Sequence, residues 1–182
     1  MKFVLATHNP GKLKEMADIL SGLGVEVVSP ADVGISVDVE ETGTTFAENA
    51  MLKAKAICAA SGLPAIADDS GLCVDALNGG PGVYSARFGG EGLDDTGRYR
   101  LLLQMLHGQA DRRAHFHTTI TCAFPNGDVL QDDGEVEGTI AFAPMGENGF
   151  GYDPVFLDPE LGLTAAEMSP EEKMSRSHRA KA

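Results

Sequence analysis

Two adjacent aspartates, Asp68 and Asp69, follow a short apolar run and precede a Ser-Gly pair. The apolar run predicts a buried strand ending at Asp68, and ligands commonly bind where the strands of an open α/β sheet end. Adjacent residues on extended backbone point to opposite sides, so at most one carboxylate turns back into the sheet and the other faces a crevice. Two close negative charges are unfavourable without a cation or a hydrogen-bond network between them. The pair indicates either a divalent-metal site or a solvated strand-to-turn junction, because Asp, Ser and Gly are ordinary turn residues.

A second candidate is the polar loop between the first predicted strand and the helix that follows it, which reads Thr7-His8-Asn9-Pro10-Gly11-Lys12. A loop that leads into a helix N-terminus offers backbone N–H groups and the positive end of the helix dipole to an anion. Lys12 opposes the helix dipole but suits a bound phosphate. The GxxxxGK[ST] spacing of a P-loop is absent. An ordinary strand-to-helix connection is the alternative interpretation.

A second acidic pair, Glu40-Glu41, lies just upstream of a predicted helix. One of these glutamates could reach the aspartate pair if that helix packs beside the strand. Mg²⁺ in proteins takes one or two carboxylates together with substrate phosphates, so this combination would suit it. Considered by itself, the segment is more typical of a solvated loop.

Two further segments could recognise a flat ligand. In Gly149-Phe150-Gly151-Tyr152-Asp153-Pro154, the glycines let backbone approach a ring system, Phe150 can stack on it, and Asp153 can accept from ring N–H groups. Lys173 and the run Ser177-His178-Arg179 place cations in an otherwise acidic chain. The alternative for that run is a solvated, charged C-terminal tail.

The apolar periodicity predicts which elements position these residues. Helices are expected over residues 12–20, from a Thr45–Glu48 capping box to about residue 60, from Asp94 or Asp95 to His107, and briefly over residues 164–168. Strands are expected over residues 3–6, 25–29, 63–68, 115–124, 129–130 and 138–142, with a hairpin turn at residues 125–128 and a Gly-rich loop at residues 144–154. Early alternation of strands and helices, followed by antiparallel strands, predicts an α/β domain with a mixed sheet.

Composition narrows the function classes. A chain of 182 residues suits one domain, and its net charge of −13 argues against general electrostatic binding of nucleic acid. The three cysteines form no CxxC pair, and no apolar stretch approaches the length of a membrane span or a signal peptide. We therefore expect a soluble, cytoplasmic protein without a membrane or nucleic-acid partner.

Six ordered motifs carry a resemblance over residues 3–179. They are Thr7–Lys12, Glu40–Gly43, Ala67–Leu72, Pro81–Phe88, Gly149–Pro154 and Ser177–Arg179. Together they resemble the Ham1-like family of inosine/xanthosine triphosphate pyrophosphatases. The resemblance implies one α/β domain, residues 1–182, of two lobes around a long mixed β-sheet with a nucleotide cleft between the lobes. It also implies a homodimer and a Mg²⁺-dependent reaction that converts purine nucleoside triphosphates such as ITP, dITP and XTP to the monophosphate and pyrophosphate.

The resemblance also implies roles for individual residues. Asp69 matches the catalytic acid/base and metal-linked aspartate, and Glu41 best matches the metal-binding glutamate, with Glu40 as the alternative. Substrate binding is assigned to a triphosphate set, Thr7, His8, Asn9, Pro10, Gly11, Lys12, Lys53 and Ser70, and to a base-recognition set, Phe150, Gly151, Tyr152, Asp153, Lys173, His178 and Arg179. His8 stands where the family often has glycine.

Three rival functions differ in identifiable features. A Maf-type pyrophosphatase of pyrimidine or modified nucleotides has a Ser-rich first loop with paired arginines, unlike Thr7–Lys12. A haloacid-dehalogenase-type phosphatase needs two aspartates one residue apart after the first strand, whereas Asp68 and Asp69 are adjacent and follow a later one. A non-catalytic nucleotide-binding module would retain the pocket and lack turnover.

Overall fold

The computed structural model describes Met1–Ala182 as five α-helices and eight β-strands, with short 3₁₀ segments between them. The helices are α1 (Pro10–Ser21), α2 (Phe46–Ser61), α3 (Asp95–Met105), α4 (Pro170–Arg176) and α5 (His178–Lys181). The strands are β1 (Lys2–Leu5), β2 (Glu26–Val28), β3 (Ala65–Val74), β4 (Gly80–Pro81), β5 (Arg113–Ala123), β6 (Val129–Ile140), β7 (Phe156–Asp158) and β8 (Leu163–Thr164).

All eight strands belong to one sheet. Its order is β2-β1-β3-β5-β6-β7-β8, and β4 pairs with β3 outside this path. Strand β1 pairs in parallel with β2 and β3, whereas the β3–β4, β6–β7 and β7–β8 pairs are antiparallel. The predicted α/β fold with a long mixed sheet is therefore confirmed.

The chain forms two compact units. The first comprises residues 1–69, 118–134 and 179–182, and the second comprises residues 70–117 and 135–178. Three boundaries between the units fall inside strands, because β3, β5 and β6 each contribute residues to both units. A single domain with a cleft between lobes stays a prediction from the resemblance.

The first unit has a core built on small side chains of α2. Ala54, Ile57 and Cys58 of that helix pack with Val4 of β1 and Ala65 of β3. Thr45 caps α2 by accepting from the Glu48 N–H at 3.1 Å, as the capping-box spacing predicts. The Glu48 carboxylate accepts from the Thr44 N–H at 2.7 Å, so the cap extends one residue upstream of the usual box. The small residues let α2 pack close to the sheet. Polar side chains of the same helix, such as Lys53, therefore lie near β3.

The second unit has its own core, which combines aliphatic side chains with aromatic rings. Phe116 and Phe156 lie 4.4 Å apart between ring centroids, and Leu102 and Leu106 pack against them. Tyr152 belongs to the same core, and its hydroxyl donates to the Ser85 carbonyl at 2.6 Å. The buried end of the loop at residues 144–154 is thereby fixed to the second unit.

Three predicted elements differ from the observed ones. Strand β3 continues through the aspartate pair to Val74, so the predicted strand end at Asp68 is wrong. Strand β6 runs without a break where two short strands were predicted, because its middle residues are polar and mostly exposed and give no apolar signal. Residues 165–168 form a turn rather than a helix, since the N–H groups of Ala165 and Ala166 donate to the Phe156 and Asp153 carbonyls.

No helix combines the length and the apolar character needed to cross a lipid bilayer.

Arg112 is a buried guanidinium in the second unit. It donates to the carbonyls of Ile140 (2.8 Å), Leu106 (3.1 Å) and Ala141 (2.9 Å), and it lies 4.2 Å from the centroid of the Phe142 ring. One side chain thus joins the last turn of the α3 segment to the end of β6. It fixes the point from which the loop at residues 144–154 departs.

We expect Arg112→Met to lower the free energy of unfolding by about 2–4 kcal/mol, because the buried carbonyls lose their donors while the apolar stem is kept. Urea unfolding measures the change. Arg100→Met, on the exposed side of α3, is the matched control and should shift the free energy by less than about 0.5 kcal/mol. Equal effects of the two substitutions would contradict the role given to Arg112.

Candidate active site

The aspartate pair lies inside β3 and is buried. Asp68 is 1% exposed and Asp69 is 5% exposed. The expectation that one carboxylate faces an open crevice is therefore wrong. The pair stays within the strand because cations compensate each carboxylate, and Thr118 supports the backbone by donating to the Asp69 carbonyl at 3.3 Å. The alternation of a strand still holds, since the two carboxylates contact different side chains.

Asp68 contacts a set of charges that ties α1 to α5. Its Oδ2 lies 3.2 Å from Lys12 Nζ and 3.2 Å from Arg179 Nε. Arg179 also donates through Nη1 to Glu15 Oε2 at 2.5 Å. Burial acts to raise the pKa of Asp68, but the charges of Lys12 and Arg179 outweigh it and hold that pKa below its ordinary value. Asp68 is therefore a fixed negative charge beside Lys12.

Asn9 shapes the loop before α1. Its Oδ1 accepts from the N–H groups of Gly11 (2.9 Å) and Lys12 (3.3 Å), and Thr7 Oγ1 accepts from the Asn9 N–H at 3.1 Å. The helix cap thus occupies amides that were predicted to be open to an anion. Because Oδ1 is committed to the cap, the side-chain donor that Asn9 can offer to a phosphate is its Nδ2 amide. His8 is exposed in this loop.

Asp69 and Glu41 meet at one ammonium group. Lys53 Nζ lies 3.3 Å from Asp69 Oδ1 and 3.3 Å from Glu41 Oε1. The second oxygen of Asp69, Oδ2, is buried and has no hydrogen-bond partner. Of the alternatives for the metal-binding glutamate, Glu41 is the one that contacts the cluster through Lys53.

The electrostatics of Asp69 differ from those of its neighbour. Burial raises the pKa of Asp69, and the negative charge of Glu41 raises it further, while Lys53 acts in the opposite direction. A carboxylate with a raised pKa is a stronger base than an ordinary aspartate. The two adjacent carboxylates therefore differ in their electrostatics, because their surroundings lower the pKa of Asp68 and raise the pKa of Asp69.

The donor set fits a hard divalent cation. Glu41 and Asp69 both offer carboxylate oxygens to one cation, the Lys53 ammonium. The buried Oδ2 of Asp69 has no hydrogen-bond partner and is available as an oxygen ligand. No group of three or more His, Cys, Asp or Glu side chains in the chain could hold a metal by itself. This combination suits Mg²⁺, which commonly binds through one or two carboxylates and completes its coordination with phosphates and water.

Sequence reasoning missed Asn49, a fully buried residue of α2 that accepts from the Gly43 N–H at 2.8 Å. Gly43 follows the acidic pair, and a Cβ at this position would lie 2.6 Å from Asn49 Oδ1. A polar amide on a helical face of alanines and isoleucine, four residues before Lys53, is the signal that could have identified it.

The second unit holds a separate cluster of aromatic and charged residues. Lys173 Nζ lies 2.6 Å from Asp153 Oδ2 and 4.8 Å from the centroid of the Phe150 ring. The same Asp153 oxygen accepts from the Phe150 N–H at 3.0 Å. Asp153 is 4% exposed, so its side chain does not face solvent, and its contacts fix the position of the loop. Gly151 donates its N–H to Asp95 Oδ2 at 3.1 Å.

His178 is buried against an aromatic wall in the second unit. Its ring stacks on Phe116 with 4.8 Å between centroids and 18° between planes. Phe116, Asp153, Lys173 and His178 line one small pocket, so residues predicted from distant segments come together there.

The structure thus distributes the predicted site residues between two groups. Within the first unit it brings together Glu41, Lys53, Asp69, Lys12 and Arg179, with the Asn9-capped loop leading into Lys12. Within the second unit it brings together Phe150, Asp153, Lys173 and His178, with Gly151 and Tyr152 in the same loop. Arg179 was expected in the base-recognition set, and the structure places its guanidinium on Asp68 and Glu15. Ser70, half-buried in β3, follows Asp69, and a substrate contact there stays a prediction.

Comparison with known proteins gives one consistent family. The model of the Ham1 family matches residues 3–182. The dITP/XTP pyrophosphatase of Exiguobacterium sp. strain AT1b is 51% identical over 182 residues, covering 100% of this chain and 93% of that protein. The dITP/XTP pyrophosphatase of Haemophilus influenzae is 53% identical over 185 residues, covering 100% of this chain and 94% of that protein. The solved structure of a HAM1 protein from Coxiella burnetii is 43% identical and superposes with a TM-score of 0.90, covering 100% of this chain and 93% of that one.

Gly149 should be more sensitive to substitution than Gly151, which lies in the same loop at residues 144–154. A Cβ at Gly149 would lie 2.1 Å from Asp153 Oδ2, whereas a Cβ at Gly151 would meet no atom within 4 Å, and both residues have positive φ. Gly151→Ala therefore carries only backbone strain, and Gly149→Ala adds displacement of Asp153. We expect Gly149→Ala to lower the free energy of unfolding by about 1–3 kcal/mol more than Gly151→Ala. Chemical denaturation of both variants measures the difference, and equal costs would contradict the steric argument.

Proposed function

The chain belongs to the Ham1 family, and on that premise we propose that it hydrolyses the non-standard purine nucleoside triphosphates ITP, dITP and XTP to the monophosphate and pyrophosphate. The observation that carries the proposal is the convergence of Lys53, Glu41 and Asp69 within 3.3 Å contacts, beside the Lys12–Asp68 pair. This arrangement combines N–H donors for phosphate oxygens, a carboxylate proposed as the base, and carboxylate oxygens for a divalent ion.

The charges in the first unit suit a triphosphate that arrives with a metal. Lys12, Lys53 and Arg179 are each paired with carboxylates of the same cluster, so they supply no uncompensated positive charge to the substrate. The whole chain carries a net charge of −13, which would repel a free polyphosphate. A divalent cation neutralises phosphate oxygens and acts as a Lewis acid when it is bound. We therefore include Mg²⁺ dependence in the proposal, with Glu41 and Asp69 as its protein ligands.

Asp69 is proposed as the general base. A carboxylate at this position can take a proton from the attacking water, and general-base help is worth roughly 10²–10⁴ in rate. Lys53 holds one oxygen of Asp69 and so fixes the orientation of the carboxylate. As the water oxygen forms a bond to the α-phosphorus, a proton of the water passes to Asp69, the α–β phosphoanhydride bond breaks, and the electron pair of that bond leaves with pyrophosphate.

The phosphate-binding part of the proposal uses the loop before α1. Lys12 and the Nδ2 amide of Asn9 are the donors that this loop can turn toward phosphate oxygens, since Asn9 Oδ1 is held in the helix cap. Donors that are fixed before the substrate arrives lose little orientational freedom on binding. The cap therefore contributes to phosphate binding by positioning the amide of Asn9.

The second unit is proposed to recognise the base. The Phe150 ring offers a stacking surface, Asp153 can accept from ring N–H groups, and Lys173 and His178 can donate to the 6-oxo oxygen. A donor that pairs with O6 is left unpaired opposite the amino group of adenine, and such polar mismatch can reject a substrate by about 10⁴-fold. The resemblance also supports a homodimer, which is part of this proposal.

The proposed activity predicts a specific product. Incubation with Mg²⁺ and ITP, XTP, dTTP or GTP, followed by separate measurement of pyrophosphate and orthophosphate, should show pyrophosphate release from ITP and XTP. Omission of Mg²⁺ should abolish turnover. Release of orthophosphate, or a preference for dTTP, would contradict the proposal. Tight binding of ITP without turnover would identify a nucleotide-binding module instead.

The assigned base predicts the effect of one substitution. Asp69→Asn keeps the size of the side chain but removes its basicity, so pyrophosphate release should fall by at least about 100-fold while circular dichroism shows an intact fold. Asp18→Asn, on the exposed side of α1, is the control and should keep wild-type activity. Retention of activity by Asp69→Asn would show that the base is another group.

A further inference from the structure

Asn49 connects the two segments that carry the proposed catalytic carboxylates. We propose that Asn49 is a positioning residue that sets the separation between Glu41 and Asp69. This inference rests on the proposed function, because it concerns the geometry of the carboxylates to which that function assigns metal binding and proton transfer. Asn49 has no exposed surface and lies on α2, the helix that also carries Lys53.

The first contact anchors the acidic loop. Asn49 Oδ1 accepts from the Gly43 N–H at 2.8 Å. A Cβ on Gly43 would lie 2.6 Å from this oxygen and 2.7 Å from Glu48 Cβ, so the loop backbone is packed directly on the helix. Residues 34–43 form no helix or strand, and this amide is therefore a principal fixed point for Glu41, two residues away.

Lys53 makes the second contact between α2 and the acidic loop. Asn49 and Lys53 are four residues apart on α2, so their side chains leave the same face of the helix. Lys53 bridges the Glu41 side chain and Asp69 Oδ1, each at 3.3 Å. One helical face thus reaches the acidic loop twice, at the Glu41 carboxylate and at the Gly43 backbone.

The remaining polar atoms of Asn49 and Asp69 are complementary. Asn49 Nδ2 is a buried donor without a hydrogen-bond partner, and Asp69 Oδ2 is a buried acceptor without one. A hydrogen bond between these atoms would leave neither unsatisfied. Lys53 and Asn49 would then hold the two oxygens of Asp69 from one helical face.

The decisive experiment compares Asn49→Ala with Asn126→Ala. Asn126, in an exposed turn, makes the pair of bonds that is proposed for Asn49, since its Oδ1 accepts from the Asp128 N–H at 2.9 Å and its Nδ2 donates to Asp128 Oδ2 at 2.8 Å. For Asn49→Ala we expect kcat per folded molecule to fall about 10–100-fold, because small displacements of catalytic groups are costly. We also expect the Mg²⁺ concentration for half-maximal activity to rise. Asn126→Ala should change neither quantity.

Two further measurements separate positioning from simple stabilisation. Asn49→Asp keeps the acceptor for Gly43 but replaces the donor with an anionic oxygen, so it should lower kcat as much as Asn49→Ala. If Asn49→Ala fails to fold, this variant carries the same comparison. A crystal structure of either variant should show Glu41 or Asp69 displaced from Lys53, and this readout does not depend on turnover.

The outcomes distinguish the two proposals. If activity fell only in proportion to the fraction of the variant that is unfolded, and the Mg²⁺ requirement did not change, the positioning role would be overturned. Wild-type kcat in Asn49→Asp would overturn the donor contact with Asp69. If the wild-type protein released no pyrophosphate, the proposed function would fail, while the crystallographic displacement would still decide the role of Asn49.

Discussion

The structure depends on compensation of charge inside β3. Two aspartates in the middle of a buried strand would disrupt it, because an unpaired buried carboxylate is strongly unfavourable. Here Lys12 and Arg179 compensate Asp68, and Lys53 compensates Asp69. These pairings fix the side chains of α1, α2 and α5 against one strand. The contacts that neutralise the two aspartates are therefore the same contacts that assemble the proposed catalytic cluster.

The second unit combines steric and ionic constraints to hold its cluster of aromatic and charged residues. Gly149 leaves the space that Asp153 Oδ2 occupies, and Arg112 fixes the backbone at the start of the same loop. Asp153 then orients both Lys173 and the Phe150 backbone. A loop without regular secondary structure can thereby present a ring and a charge in a defined arrangement, which base recognition requires.

Much of this organisation was predictable from the sequence, and the failures have physical causes. Helices α1, α2 and α3 follow from apolar periodicity, and the caps of α2 and α3 at Thr45 and Asp94 were also predicted. The end of β3 was misplaced because Asp, Ser and Gly signal a turn locally, whereas cations more than ten residues away keep them in the strand. The contacts of Arg179 and the role proposed for Asn49 could not be predicted, because both depend on which segments pack together.

The pairing of Asp68 with Arg179 joins residues 111 positions apart in the chain. During synthesis at ~5–20 residues per second, roughly 6–22 s therefore pass between the emergence of the two partners. Throughout that interval β1, α1 and β3 can associate, but the carboxylate in the centre of their sheet lacks one of its two cations. The first unit should consequently complete its folding late, when the segment after residue 178 arrives. A nascent chain stalled before that point would expose an incompletely neutralised strand to chaperones and proteases.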